Sequence, residues 1–469
     1  PVIAWIWART VTCPNPACGA TMPLVNSFAL SKRVGNLAWL EPVPEPSGRR
    51  VDFVVRLGRG CPSGGSVART GATCLVCGSN VPLSYVRDEG KQGRMGSQLL
   101  CTVVESQRGR RYLPADPQQL PPTRSNRPDG VPMTSLPEQA LGFRVQNYGI
   151  EHHWQLFTDR QLVLLTTFAD LVGEARQKVI ADAGSVEYAD AIATYLALSL
   201  GRLANRSSSQ SFWNANGEKV EQVFARNALP MIWVYAEANP FSDSSGNYLG
   251  QLDYLVDALE NVPASAPGQV RQADAARLPD SWPDLVATDP PYYDNVPYAD
   301  LSDFFYVWLR RCLRTVYPDL FATLLVPKSE ELIAEPARHG SWDAAAAFFE
   351  RGLQRAFKSF VASSGSGAPF TMFYAFKQAE TRDGATASTG WERMLQGLLN
   401  VGAMVTGTWP IRTEQAGGLR EHGRNSLASS IVLACRPREA MAEAVTRRGF
   451  LQALKAELPG ALREMQQGS

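Results

Sequence analysis

The sequence predicts an α/β fold: a strand-and-helix sheet in the C-terminal half, a helical segment before it, and a cysteine-knuckle ribbon towards the N-terminus. Three observations predict this. Beyond residue 284 short apolar strands alternate with amphipathic helices. Residues 157–203 carry apolar side chains at helical spacing. Four of the eight cysteines fall into two tight pairs.

A chain of 469 residues has room for two or three domains, and its 45% apolar and 19% charged composition is that of a globular protein. No apolar run reaches membrane-spanning length, and the start lacks a signal-peptide pattern, so a cytoplasmic location with no membrane partner is expected. The opening Pro1-Val-Ile-Ala-Trp-Ile-Trp-Ala-Arg9 reads as a strand already in mid-domain, so the chain is expected to be a fragment. The formal net charge of +1 gives no general attraction to nucleic acid. Such binding would need local patches, for instance Arg49, Arg50, Arg56 and Arg59, or Arg108, Arg110 and Arg111.

Cys13-Pro-Asn-Pro-Ala-Cys18 and Cys74-Leu-Val-Cys77 are two knuckles, each followed at once by Gly. Glycine there permits the tight turn that aims backbone NH groups at sulfur, and two knuckles make a four-thiolate zinc site of ribbon type. Free core cysteines or a secreted disulfide are the competing readings; nothing else suggests secretion, which favours zinc. Cys61 could replace one ligand, whereas Cys101, Cys312 and Cys435 stand singly in apolar surroundings as packing residues. Between the knuckles, Leu37–Val43 and Val51–Leu57 read as a hairpin.

A strand is expected at Leu99–Val104, and Pro114–Pro137 reads as an extended connector with little structure. A helix should start at Phe157-Thr-Asp-Arg-Gln-Leu162 with Thr158 or Asp159 as its cap. Glu187–Leu203 is a second, mostly buried helix, and the Ser-rich Asn205–Gly217 reads as a mobile loop. His152 and His153, just ahead of the first helix, suit a solvated or capping role better than a metal pair.

Asp284-Leu-Val-Ala-Thr288 reads as a short buried strand, broken abruptly by Asp289-Pro-Pro-Tyr292. Successive prolines fix φ and donate no ladder bonds, so the strand ends there in a stiff loop. Open α/β sheets bind ligands at this end of their strands. An Asp carboxylate and a proline carbonyl can accept hydrogen bonds from an exocyclic amino group, while Tyr292 can stack on the ring bearing it. An aromatic helix, Leu301–Leu309, follows. Further on come a helix at Trp342–Phe360, a strand at Phe370–Phe376, a helix at Trp391–Leu399 and strands at Met404–Trp409 and Ser430–Cys435. Between the last two, Arg412–Arg424 is glycine-rich and basic, a composition that suits contact with a phosphate backbone.

These motifs resemble the large prokaryotic family of zinc-ribbon-containing, adenine-specific DNA methyltransferases. The resemblance extends through Trp7-Ala-Arg9, Leu156-Phe-Thr-Asp-Arg-Gln161, Ala228-Leu-Pro-Met231, Asn239-Pro-Phe241, the Asp-Pro-Pro-Tyr loop and Ser426-Leu-Ala-Ser-Ser-Ile-Val432. It implies a Rossmann-like sheet dependent on S-adenosylmethionine, here missing its opening strands, with a zinc-ribbon insertion. It also implies DNA as partner, with defence-system proteins possible beside it. Asp289, Pro290, Pro291 and Tyr292 then become the catalytic loop, Cys13, Cys18, Cys74 and Cys77 the zinc ligands. Asp274, ending an expected strand from Val270, becomes the acid beside the cofactor's adenine. The family's Gly-rich cofactor loop is absent, so the chain resembles a C-terminal portion. Expected segments are a zinc-ribbon region (1–113), a connector (114–150), a helical segment (151–260), the catalytic half (261–438) and a C-terminal helix (439–469). Asp at 289 points to adenine N6 over cytosine N4, and away from RNA or protein amide methylation, where Asn is usual. A non-catalytic, zinc-dependent nucleic-acid-binding subunit of a defence complex is the alternative from another class.

Overall fold

The computed structural model describes residues 1–107, 109–121, 127–225, 227–262, 266, 268–278, 285–291, 293, 296–364, 368–374, 379–380, 386–387, 389–412, 429–439, 441–442 and 445–467. Two compact units emerge: Pro1–Gln272 with Asp294–Glu331 and Glu335–Gly340, and Ala273–Tyr293 with Leu332–Ala334 and Ser341–Ser469.

The first unit is built on an antiparallel sheet whose central strand is Val2–Thr12. Its side chains are buried along almost the whole length, because neighbours pair on both sides. Gly96–Ser106 pairs along one edge; Val234–Ala238 and Thr21–Leu24 share the other. Ala4, Ile6 and Ala8 face the Ala38–Pro44/Val51–Leu57 hairpin, whose Leu40, Val51 and Phe53 complete that core. Trp5 and Trp7 take the opposite face with Tyr235 and Leu99.

Val2–Thr12 pairs with Val234–Ala238, and the residues of the expected ribbon, connector and helical segments lie in the first unit. The connector is also more ordered than its composition suggests. Val131, Leu136, Ala140 and Phe143 insert into the helical core, and their burial outweighs the local preference for an extended chain.

Helices Asp159–Ala181, Val186–Ala204 and Tyr298–Leu313 form that core. The first opens on a capping box: Gln161 N donates to Thr158 Oγ1 at 3.3 Å, and Thr158 N donates to Gln161 Oε1 at 2.9 Å. The Ser-rich stretch after the second helix is not a surface loop. Ser207–Ser211 are all buried. Short hydroxyls can bond nearby backbone, and here Ser208 and Ser209 donate to the Leu156 carbonyl at 2.6 and 3.0 Å.

The second unit holds a four-stranded sheet ordered Ala287–Thr288, Phe370–Tyr374, Ser429–Pro437, Ala403–Arg412. The first pair is parallel and the other two antiparallel. Helices Trp342–Ser363 and Thr389–Asn400 pack on it through Phe349, Phe357, Phe360, Met394 and Leu398. The Ala287–Thr288 strand is shorter and barer than expected. Val286 is buried but Leu285 is 62% exposed, because among the described residues only Phe370–Tyr374 pairs with it. The chain is thus a mixed α/β protein, and no helix among the described residues is long and apolar enough to cross a membrane.

Candidate functional site

Each cysteine knuckle closes a hairpin. The first turns between Thr12 and Thr21, the second between Thr73 and Asn80. Gly19 and Gly78 take φ of +58° and +74°, the left-handed region where a side chain is strained, which explains glycine after each second cysteine. Gly19 N then donates to the Asn15 carbonyl at 3.0 Å and Gly78 N to the Cys74 carbonyl at 2.9 Å.

These turns bring Cys13, Cys18, Cys74 and Cys77 together, with all four sulfurs within 4.8 Å of one another. Cys13 and Cys77 are 3.8 Å apart, Cys18 and Cys74 3.9 Å. A tetrahedral ion with metal–sulfur bonds of about 2.3 Å sets its sulfurs roughly 3.8 Å apart. The four residues can hold a structural metal ion, and their geometry and chemistry are compatible with zinc.

Their surroundings already differ in electrostatics. Burial pushes the Cys13 thiol up to about 12, whereas the Ser79 hydroxyl and backbone NH pull Cys77 down to about 6. A bound cation would hold all four as thiolates. Asn15 supports the cluster from outside: its Nδ2 donates to Ser79 Oγ at 3.1 Å and lies 3.8 Å from Cys77 Sγ. Cys61 is exposed and outside the cluster, while Cys101, Cys312 and Cys435 are buried singly.

In the second unit, the Asp289-Pro290-Pro291 loop leaves the carboxyl end of the Ala287–Thr288 strand. The strand is held to its neighbour by Thr371 N donating to the Val286 carbonyl at 2.8 Å and Thr288 Oγ1 to the Thr371 carbonyl at 3.3 Å. Asp289 is exposed and the prolines half-buried; Tyr292 lies outside the described residues. The loop is anchored one residue further on. Tyr293 accepts at its carbonyl from Ala334 N at 2.7 Å, and its ring meets Phe349 edge-on with centroids 5.1 Å apart. Arg393, paired with Glu350, lies 5.7 Å from the same ring. Sequence reasoning missed this anchor; the doubled tyrosine was its signal.

Asp274 is not at the end of a strand. Residues 268–274 form none, and Val270 is fully exposed. A strand needs a partner edge, and none of the described residues supplies one here. Asp274 instead accepts from Ala276 N at 2.9 Å and faces Arg277 at 3.6 Å across an exposed turn. The basic Arg412–Arg424 loop lies, apart from Arg412, outside the described residues, as does Arg108. His153 is buried with Nδ1 3.0 Å from Thr134 Oγ1, and the two histidines join no metal cluster among the described residues.

The first unit gathers several of the motif residues around one polar seam. Arg160 forks onto Glu237, Nε donating to Oε1 at 2.8 Å and Nη2 to Oε2 at 2.7 Å, while Thr158 Oγ1 donates to the same carboxylate at 3.0 Å. Trp7 stacks on Tyr235, with Arg160 5.1 Å from the Trp7 ring. Glu237 was not singled out from sequence, although an acid inside the apolar run Val234-Tyr-Ala-Glu-Ala238 was the available signal. No protein-family model, curated protein or solved structure matches the chain.

Proposed function

We propose that this chain carries the base-binding half of an S-adenosylmethionine-dependent DNA amino-methyltransferase acting on adenine N6, with a structural zinc in its ribbon. One observation carries the reading: an Asp289-Pro290-Pro291 loop at the carboxyl end of a strand that begins a parallel, then antiparallel, four-stranded sheet. The strand order, one parallel pair followed by two antiparallel pairs, is compatible with the second half of a methyltransferase sheet. The four-cysteine cluster supports the zinc-ribbon part of the same resemblance.

On this reading Asp289 and the Pro290 carbonyl accept the two amino hydrogens of adenine, which turns the nitrogen lone pair towards the methyl donor. Tyr292 supplies the stacking surface for the flipped base. Tyr293 packs against Phe349 of the Trp342–Ser363 helix, and on this reading that anchor helps to position the acceptors. Bound S-adenosylmethionine would supply an already activated methyl group. Asp274, exposed and turned towards Arg277, is the one residue assigned to that molecule, and it forms no cradle for the methionine part. No step is therefore assigned to that side of the site.

Sequencing the genome of a host that lacks adenine methylation, after it expresses the complete gene encoding this chain, tests the reading. N6-methyladenine at a defined sequence is the expected result. A genome without modified adenine but with N4-methylcytosine moves the reading to cytosine. A genome with neither mark selects the non-catalytic zinc-dependent DNA-binding subunit, which the cysteine cluster alone would also suit.

A further inference from the structure

Charge is segregated along the chain. Residues 1–113 carry fourteen Lys and Arg against six Asp and Glu, a formal +8, so the remainder carries −7. A zinc ion held by four thiolates would cancel only two of those positive charges. Part of the excess gathers at one end of the three-stranded sheet of Ala29–Ser31, Ala38–Pro44 and Val51–Leu57. Ser31 and Leu57 both pair with Ala38, and each outer strand is antiparallel to the middle one. Lys32-Arg33 and Gly58-Arg59 therefore leave the sheet at the same end, about 10 Å apart across the middle strand.

Local contacts fix both segments. Asn36 N donates to the Arg33 carbonyl at 3.0 Å, closing a turn in which Gly35 takes φ of +88°. The Asn36 amide donates to Glu218 Oε1 at 2.6 Å and to the Arg110 carbonyl at 3.1 Å, which pins that turn to its surroundings. Gly58 N donates to the Leu37 carbonyl at 2.8 Å, and a Cβ at Gly60 would sit 3.4 Å from the Trp39 ring. Partial burial pushes the Cys61 thiol above its usual value and the Lys32 charge opposes that rise, so the ammonium stands near the 58–61 segment. The cations are also accessible. Lys32, Arg33 and Arg59 are exposed, and among the described residues neither Lys32 nor Arg59 forms an ion pair. Arg33 lies 3.8 Å from Glu218, a buried acid that already accepts from Tyr112 and Asn36. Glu41 is taken by Arg56 at 2.6 Å. Val34 and Leu57, 95% and 75% exposed, stand beside the three cations in the chain.

We propose that this end of the sheet, through Lys32, Arg33 and Arg59, docks on the phosphate backbone of duplex DNA. The inference rests on the reading above for DNA as the partner, and adds the surface of this chain that holds it. Separate cations on fixed turns suit successive phosphates, which attract them without regard to sequence. Val34 and Leu57 offer apolar contact to the sugars between. An anionic membrane would call for a broader apolar face than two side chains.

Fluorescence anisotropy of a labelled DNA duplex, titrated with the full chain over a series of salt concentrations, tests it. Lys32→Gln with Arg59→Gln removes two exposed charges that make no ion pair among the described residues. Its duplex affinity should fall by about tenfold or more near 0.1 M salt, and the slope of log affinity against log salt should shrink by about two. Lys32→Arg with Arg59→Lys keeps both charges and should keep the affinity. Arg49→Gln with Arg50→Gln removes as much charge at the opposite end of the same hairpin, beyond the Pro44–Val51 pair, and should change neither quantity much. A wild type that does not bind the duplex overturns the proposal, as do equal losses in the two Gln pairs. A loss on vesicles of anionic lipid with none on the duplex also overturns it, in favour of a membrane. Binding is read without methyl transfer, so the expected loss would stand even if the host genome carried no N6-methyladenine. A methylated genome together with undiminished duplex affinity in Lys32→Gln/Arg59→Gln would remove this surface and leave the reaction.

Discussion

At Asp303 a carboxylate with no solvent exposure meets the Lys328 ammonium at 2.6 Å and the Val326 amide at 2.8 Å. Burial raises the Asp303 pKa, and the Lys328 and Val326 bonds oppose that rise. Lys328→Met would strand the carboxylate, with an expected loss of about 3 kcal/mol at neutral pH in a denaturant titration. Adding Asp303→Asn should recover most of that loss, since no charge then needs a partner. A single-variant loss below the error of the titration would show that the pair is not coupled to folding. His153 gives a pH effect of definite sign. Burial lowers its pKa to about 4, with the Thr134 backbone bond opposing and the Lys328 and His152 charges adding to the drop. Below about pH 6.5 the unfolded chain takes up a proton that the folded chain refuses. Stability is thus complete above that pH and declines towards pH 4, by up to about 3 kcal/mol from this residue. His153→Gln should flatten that part of the stability profile; the same slope in the variant would assign the effect elsewhere.

Among the elements, the helices were the most legible. Thr158 or Asp159 as cap placed the start of the Asp159–Ala181 helix within a residue, whereas its end, beyond the apolar spacing that runs to Val172, was not read. The knuckles were legible too, because Cys spacing followed by glycine leaves few other turns. Elements set by long-range contacts were harder. Ser207–Ser211 look like solvated chain, and their burial rests on contacts such as the Leu156 carbonyl, about fifty residues away, which accepts from Ser208 and Ser209. Val270–Asp274 has strand-like residues but no partner edge among the described residues. The ribbon yields the clearest prediction at this scale. Purified protein should hold about one zinc per chain, and Cys74→Ser should lose it, by elemental analysis. Metal-free, reduced protein with native-like ribbon protection would contradict the four-thiolate assignment.

For the whole molecule, the decisive fact is that the ribbon and the proline loop belong to different compact units. Cys74→Ser should therefore raise hydrogen exchange in the ribbon hairpins and the Val2–Thr12 strand, and leave protection in the Phe370–Tyr374 and Ser429–Pro437 strands nearly unchanged. Equal loss in both would mean that the units fold as one. Asp289 and the prolines announce themselves locally, whereas the Tyr293 anchor depends on Phe349 and Ala334, which lie far along the chain. The central claim is that Asp289 orients a reacting amine, and radiolabelled methyl transfer to unmethylated DNA by the product of the complete gene measures it most directly. Asp289→Ala should lower transfer by about two orders of magnitude or more, as expected when a transition-state hydrogen-bond partner is lost. Tyr292→Phe should retain activity and Tyr292→Ala should not, because stacking needs the ring rather than the hydroxyl. Full transfer by Asp289→Ala would contradict the mechanism and remove the main reason for assigning this chain to amino methylation.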